Sequence, residues 1–190
     1  MSMSPVNPWP GLQTHMRALQ NNAASSNAKN SACNGYSPLL FHLFPLDKFV
    51  IYSPINITAF PLTYVVYTQQ EHAVLLFQVR APDDLASEAA RGMADEELRK
   101  KARDLIVGGK VKTEVLHCVS AFGPKCAFYK LNATTGVVEP DRSKALAIER
   151  WNNNDVMSLE GARKLKDVVL DIQKMLAAHS SGCLLYTSVL

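Results

Sequence analysis

The chain has 190 residues, 47% of them hydrophobic and 19% charged, with a formal net charge of +3. That is enough apolar material for one folded domain without disulfide or metal staples, and the slight basicity permits an anionic partner without requiring one. No run nears the roughly 18 to 20 apolar residues of a membrane span, and Met1 to Pro10 lacks the cationic and apolar stretches of a secretory signal, so an intracellular protein, cytoplasmic or nuclear and away from membranes, is expected.

Residues 1–35 are rich in Asn, Ser and Ala and poor in bulky apolar groups, and are expected to be a flexible N-terminal segment. Within it Leu12, Met16 and Leu19 fall at helical spacing, which allows one short helix. Tyr36 to Phe44 (YSPLLFHLF) reads as a short apolar helix stopped by Pro45, with His42 expected in the core. Three strands are predicted next: Lys48 to Tyr52 (KFVIY), Leu62 to Tyr67 (LTYVVY) and Ala73 to Arg80 (AVLLFQVR). The polar link Gln69 to His72 makes the last two an antiparallel hairpin. The nearly continuous apolar run of the third places it in the centre of the sheet, covered on both faces.

A helix is predicted from about Glu88 to Val107, with Ala94, Leu98, Ala102 and Leu105 as its apolar stripe and Gly108 and Gly109 as its stop. Two more strands follow, Thr113 to Phe122 (TEVLHCVSAF) and Lys125 to Leu131 (KCAFYKL). Pro140 to Asn154 reads as polar and irregular, anchored by Trp151, before a last helix over Ser158 to Ala178. Residues 36–178 therefore form one α/β (α+β) domain, a mixed central sheet of about five strands flanked by helices. Residues 179–190 are a tail. Its apolar end, Cys183 to Leu190 (CLLYTSVL), breaks with what precedes it and is left out of the fold reading.

Side chains alternate along a strand, so Gln78 and Arg80 share one face at the end of the third strand. An acidic residue and a lysine at that spacing would set a carboxylate for Mg²⁺ beside an ammonium that activates water or steadies phosphate charge. That is the PD-(D/E)XK nuclease arrangement, and the order of elements is similar to it.

A set of motifs sharpens the likeness. LFP stands at Leu43 to Pro45, FQVRAPDD at Phe77 to Asp84, ADEELRKK at Ala94 to Lys101, LHCVSAFG at Leu116 to Gly123, CAFY at Cys126 to Tyr129, ERW at Glu149 to Trp151 and DIQKM at Asp171 to Met175. In this order, over about residues 36 to 178, they resemble a group of proteins from mushroom-forming fungi with a PD-(D/E)XK restriction-endonuclease-like core. The resemblance implies a nuclease-like fold and fails where chemistry would occur. Gln78 and Arg80 stand where it has an acid and a lysine, and Ala59 stands where it has an acid before Phe60. Gln is a poor Mg²⁺ ligand and Arg keeps its proton, so a degenerate site without a cofactor is expected. Asp83, Asp84 and Glu71 are the carboxylates left as replacement Mg²⁺ ligands.

Arg80, Arg91, Arg99, Lys100 and Lys101 are the candidate contacts to nucleic acid, although the helical run also carries acids at the spacing of surface ion pairs. His117 and Cys118 are adjacent in a strand and face opposite ways, so they cannot act as a nucleophile and base. The cysteines have no C-x-x-C or zinc spacing and read as reduced thiols. Three functions follow: a catalytically inactive nuclease-like module that binds nucleic acid or protein, a divergent Mg²⁺-dependent phosphodiesterase, and a purely protein-binding module.

Overall fold

A computed structural model of the chain describes residues 8–20, 28–53 and 61–183. The strands are β1 (Phe49–Tyr52), β2 (Leu62–Thr68), β3 (Ala73–Arg80), β4 (Val115–Phe122), β5 (Lys125–Asn132) and β6 (Val138–Glu139). The helices are α1 (Gln13–Gln20), α2 (Ala28–Leu43), α3 (Glu88–Val107), the four-residue α4 (Arg142–Ala145) and α5 (Glu149–Asn152), and α6 (Leu159–Cys183), with a 3-10 turn over Pro82–Ala86. The six strands lie in chain order in one sheet, β1-β2-β3-β4-β5-β6. All neighbours are antiparallel except β3 and β4, which run parallel because α3 carries the chain back across the sheet between them. This is the mixed α/β sheet expected, with one strand more. β6 is only two residues long and pairs with Lys130 and Leu131.

The apolar run of β3 is buried at all eight positions, as a strand covered on both faces must be. On one face Leu75, Phe77 and Val79 join Tyr64, Val119 and the α6 stripe Ala162, Leu165, Val169 and Ile172. On the other, Leu76 meets Ala94, Leu98 and Ala102 of α3, with Leu116, Tyr129 and Trp151. Trp151 is the anchor read from the sequence. Its side chain is fully buried, its indole N–H donates to the Ser120 carbonyl at 3.1 Å, and its ring meets Phe122 edge-on.

The boundary expected at residue 36 falls inside a helix. α2 begins at Ala28, and the described residues 8–20 ahead of it contribute to the core. Trp9, Met16 and Leu19 are buried against α2 and α6, and the Trp9 indole donates to the Val156 carbonyl at 2.7 Å. Composition reads residues 1–35 as a flexible segment; at residues 8–20 three large side chains packed into the core override it, and residues 21–27 lie outside the described residues. His42, expected in the core, lies on the exposed side of α2. The tail expected from residue 179 starts later, because α6 runs on to Cys183, and residues 184–190 lie outside the described residues.

Two glycines are required by the geometry. Gly123 turns β4 into β5 at φ +55° with its carbonyl accepting from the Tyr36 hydroxyl at 2.6 Å, and a Cβ there would press into Pro82. A Cβ on Gly161 would collide with the Asp155 carbonyl, where α6 starts against the preceding turn. No described helix is long and apolar enough to cross a membrane.

If the N-terminal segment is part of the core, Trp9→Ala lowers the unfolding free energy by about 3–5 kcal/mol, the range for emptying a large buried aromatic site. Urea denaturation followed by circular dichroism measures it, and an unshifted midpoint would show the segment to be dispensable.

Candidate functional site

Gln78 and Arg80 lie on the face of β3 that α3 covers, near the ends of the two parallel strands. Gln78 is in register with Thr63 of β2 and Ser120 of β4, and Arg80 with Phe122. Gln78 and Ser120 are fully buried and Arg80 is 7% exposed. A buried guanidinium is costly unless it is paired. The pairing comes from α3. One carboxylate oxygen of Glu97, Oε2, lies 2.8 Å from Arg80 Nη2 and accepts a hydrogen bond from Gln78 Nε2 at 3.1 Å. One turn further along α3, Lys101 Nζ donates to the Thr63 hydroxyl at 2.7 Å. Burial pulls the Lys101 ammonium below its ordinary pKa, with Glu97 opposing the shift. The cluster is not saturated. Gln78 Oε1, Arg80 Nε and Ser120 Oγ are buried without a hydrogen-bond partner among the described residues, and Arg80 Nη2 meets Glu97 as an ion pair without hydrogen-bond alignment.

Glu97 was not among the site residues read from the sequence. It and Lys101 lie three and seven residues after Ala94, flanking the apolar stripe of α3, and that spacing was the available signal. It tells which side chains lean toward the sheet, not which strand position they meet.

The donor set does not fit the Mg²⁺ ion that the resemblance implies. Among the described residues Glu97 is the one carboxylate bonded to this cluster, and the oxygen it turns inward is already engaged by a guanidinium and an amide. A hard divalent cation needs several oxygen ligands and is repelled by an adjacent Arg. Asp83 and Asp84 sit in the 3-10 turn beyond β3 with exposed side chains. Glu71 lies in the β2–β3 turn, at the opposite end of β3, roughly 20 Å or more away at the usual strand rise, and pairs with Lys110 at 3.3 Å. Among the described residues no three His, Cys, Asp or Glu side chains stand close enough to hold a metal ion. Ala59 lies outside the described residues.

The five basic candidates are not gathered on one surface. Arg91 is buried and spans a joint, donating from Nε to the Leu146 carbonyl and from Nη1 to those of Leu85 and Ala86. Arg99 is 4% exposed, pairs with Asp95 at 2.7 Å and donates to the carbonyls of Val138 and Pro140. Both side chains hold α3 to the segments that follow β5, and their donors are committed to the protein. Lys100 is exposed and pairs with Asp104 at 2.9 Å, the surface i,i+4 pair that the charge pattern suggested. Arg80 and Lys101 remain together at the strand ends.

A second polar cluster lies on the other face. His117 is buried, with Nε2 2.9 Å from Asp171 Oδ2 of α6, and Lys130 Nζ reaches the same oxygen at 3.1 Å. Two adjoining clefts of about 640 and 490 Å³ share His117, Phe128, Lys130 and Val168 as lining. Cys118, next in the chain, packs on the opposite face with the α3 core, so the two side chains do not meet. Burial pushes its thiol far above the ordinary range and that of Cys126 up to about 12, which leaves both inert as nucleophiles near neutrality.

Comparison with known proteins finds no matching family model, curated protein or solved structure. The geometry thus defines the class, a mixed-sheet α/β domain with a polar cluster at the end of its parallel strand pair.

The His117 cluster generates a pH prediction. Burial, partly offset by Asp171, lowers the His117 pKa below its usual 6.5. Burial opposes it, yet Lys130 and His117 hold the Asp171 carboxyl below its usual 3.8. The neutral imidazole therefore contributes stability that is fully present above about pH 6.5 and is lost as pH falls toward its folded-state pKa. The Asp171 contribution disappears only in a lower window, below about pH 4. Thermal melts from pH 7.5 to 5 should show wild-type stability falling more steeply than that of His117→Gln; parallel curves would refute the assignment.

Proposed function

We propose that this domain is a nuclease-like module that binds nucleic acid without cutting it, gripping a backbone phosphate at the ends of β3 and β4. One observation carries the reading: the cluster presents a guanidinium, an ammonium, an amide and a hydroxyl, against one carboxylate that is already ion-paired. Such a set suits an oxyanion and lacks the ligands to position a metal-activated water. Arg103, exposed on the same helix, adds a further positive charge. Arg91 and Arg99 would contribute by holding α3 in place rather than by touching the ligand.

An apolar edge favours a second reading, that of a protein-interaction module. Val50 and Tyr52 share the exposed side of the edge strand β1, and Leu46 just before it is 62% exposed. Exposed apolar side chains grouped at a sheet edge are a common docking feature.

Fluorescence anisotropy with labelled single- and double-stranded oligonucleotides, titrated with salt and run with Mg²⁺, Mn²⁺ or EDTA, separates the readings. Binding should weaken steeply with salt, ignore EDTA and leave the oligonucleotide intact. Arg80→Gln should reduce the salt slope by about one, the loss of one phosphate contact. Metal-dependent cutting that Asp83→Ala/Asp84→Ala abolishes would establish a phosphodiesterase instead, and the absence of binding by folded protein would leave the protein-interaction reading.

A further inference from the structure

The Glu97 carboxylate is placed as a ligand's anionic group would be. It enters from the helix rather than the sheet, its side chain is 44% exposed, and its inward oxygen takes Arg80 and Gln78 together. The groups it meets are the reverse: Gln78 and Arg80 are buried and fixed to β3, the most enclosed strand of the sheet. Next to them, among the described residues, the Nε of Arg80 and the Oγ of Ser120, in register with Gln78, have no hydrogen-bond partner. Two donors thus stand unused in a site whose accessible member is a flexible acid.

We propose that Glu97 is a built-in plug of an oxyanion site: a phosphate group displaces its carboxylate from Arg80 and Gln78 and takes the unused Arg80 Nε and Ser120 Oγ as additional donors. The inference rests on the binding reading above and adds its gate. The exchange needs no backbone movement, because a glutamate rotates out to solvent about side-chain bonds. It replaces a single shared oxygen with a tetrahedral group that a guanidinium can hold through two N–H groups. The free protein keeps Arg80 neutralised by Glu97, so an empty site does not leave a buried charge exposed to that cost. Ligand affinity is lowered by the work of removing the plug, which is the usual penalty when the competent state is a minor one.

The test uses the full chain as wild type, Glu97→Gln and Glu97→Asp, with Glu96→Gln as a control that removes the same charge one residue away, from an exposed side chain that faces Arg142. The probes are a fluorescein-labelled single-stranded oligonucleotide, read by anisotropy, and inorganic phosphate, read by the shift in melting temperature. Glu97→Gln should bind the oligonucleotide about tenfold more tightly, since a charge-assisted contact no longer has to be broken first, and Glu96→Gln less than about twofold. Glu97→Asp, one methylene shorter, should fall between Gln and wild type, and supplies the answer if the Gln variant does not fold. Phosphate should raise the melting temperature of Glu97→Gln more than that of wild type. Wild-type binding that Glu97→Gln leaves unchanged or weakens, or that Glu96→Gln tightens equally, would make Glu97 a structural brace and overturn the plug while the binding reading stands. Phosphate stabilisation of Glu97→Gln without oligonucleotide binding by any variant would support the plug and overturn nucleic acid as the ligand.

Discussion

A guanidinium at the end of a strand buried along its whole length needs a counter-charge, and Glu97 supplies it across the layer between sheet and helix. Arg80 cannot reach bulk water freely from its place on β3. Leaving it unpaired would cost several kcal/mol, a large part of the net stability of a domain this size. The ion pair to α3 resolves that cost and brings Gln78 into the same arrangement. The position of the candidate site, its polarity and its partial exposure follow from this one contact.

The contact depends on the crossover. Only β3 and β4 run parallel, and the chain between them must return over the sheet, which lays α3 across the face that Gln78 and Arg80 occupy. Ser87 caps that helix by accepting from the Ala90 amide, and Gly108 ends it. Arg91 and Arg99 then tie it to the segments after β5 through the three backbone carbonyls of Leu146, Val138 and Pro140, and Trp151 packs into the same layer. Basic residues that look alike in sequence thus divide into those that brace the helix and those, Arg80 and Lys101, that face a possible ligand.

The sequence carried much of this and lost the rest for physical reasons. The strand Ala73–Arg80 and the helix over about Glu88 to Val107 were legible because a long apolar run between turn signals, and a sustained three-to-four spacing, are strong local patterns. β6, α4 and α5 were not, since two to four residues span about a single period and cannot show a repeat. The start of α2 reads as linker because its Asn, Ser and Ala carry no helical stripe. The polar end of β3 was visible from strand alternation alone, and so was the mismatch of Gln78 and Arg80 with a metal site. Their partner Glu97 was not, because a contact spanning 19 residues between elements depends on where α3 crosses the sheet, and no local pattern encodes that. The burial of Arg91 and Arg99 was hidden for the same reason: charge tells what a side chain needs, not where its acceptors are.

The most direct measurement is a double-mutant cycle on unfolding free energy with Arg80→Gln, Glu97→Gln and the double variant. If the strand end is held by this pair, the two substitutions are coupled by about 1 kcal/mol or more, and the double variant is less destabilised than the sum of the single ones. Additive effects, with no coupling, would mean that Arg80 and Glu97 are independent of each other, and would remove the interaction on which both the architecture of the site and its proposed ligand chemistry rest.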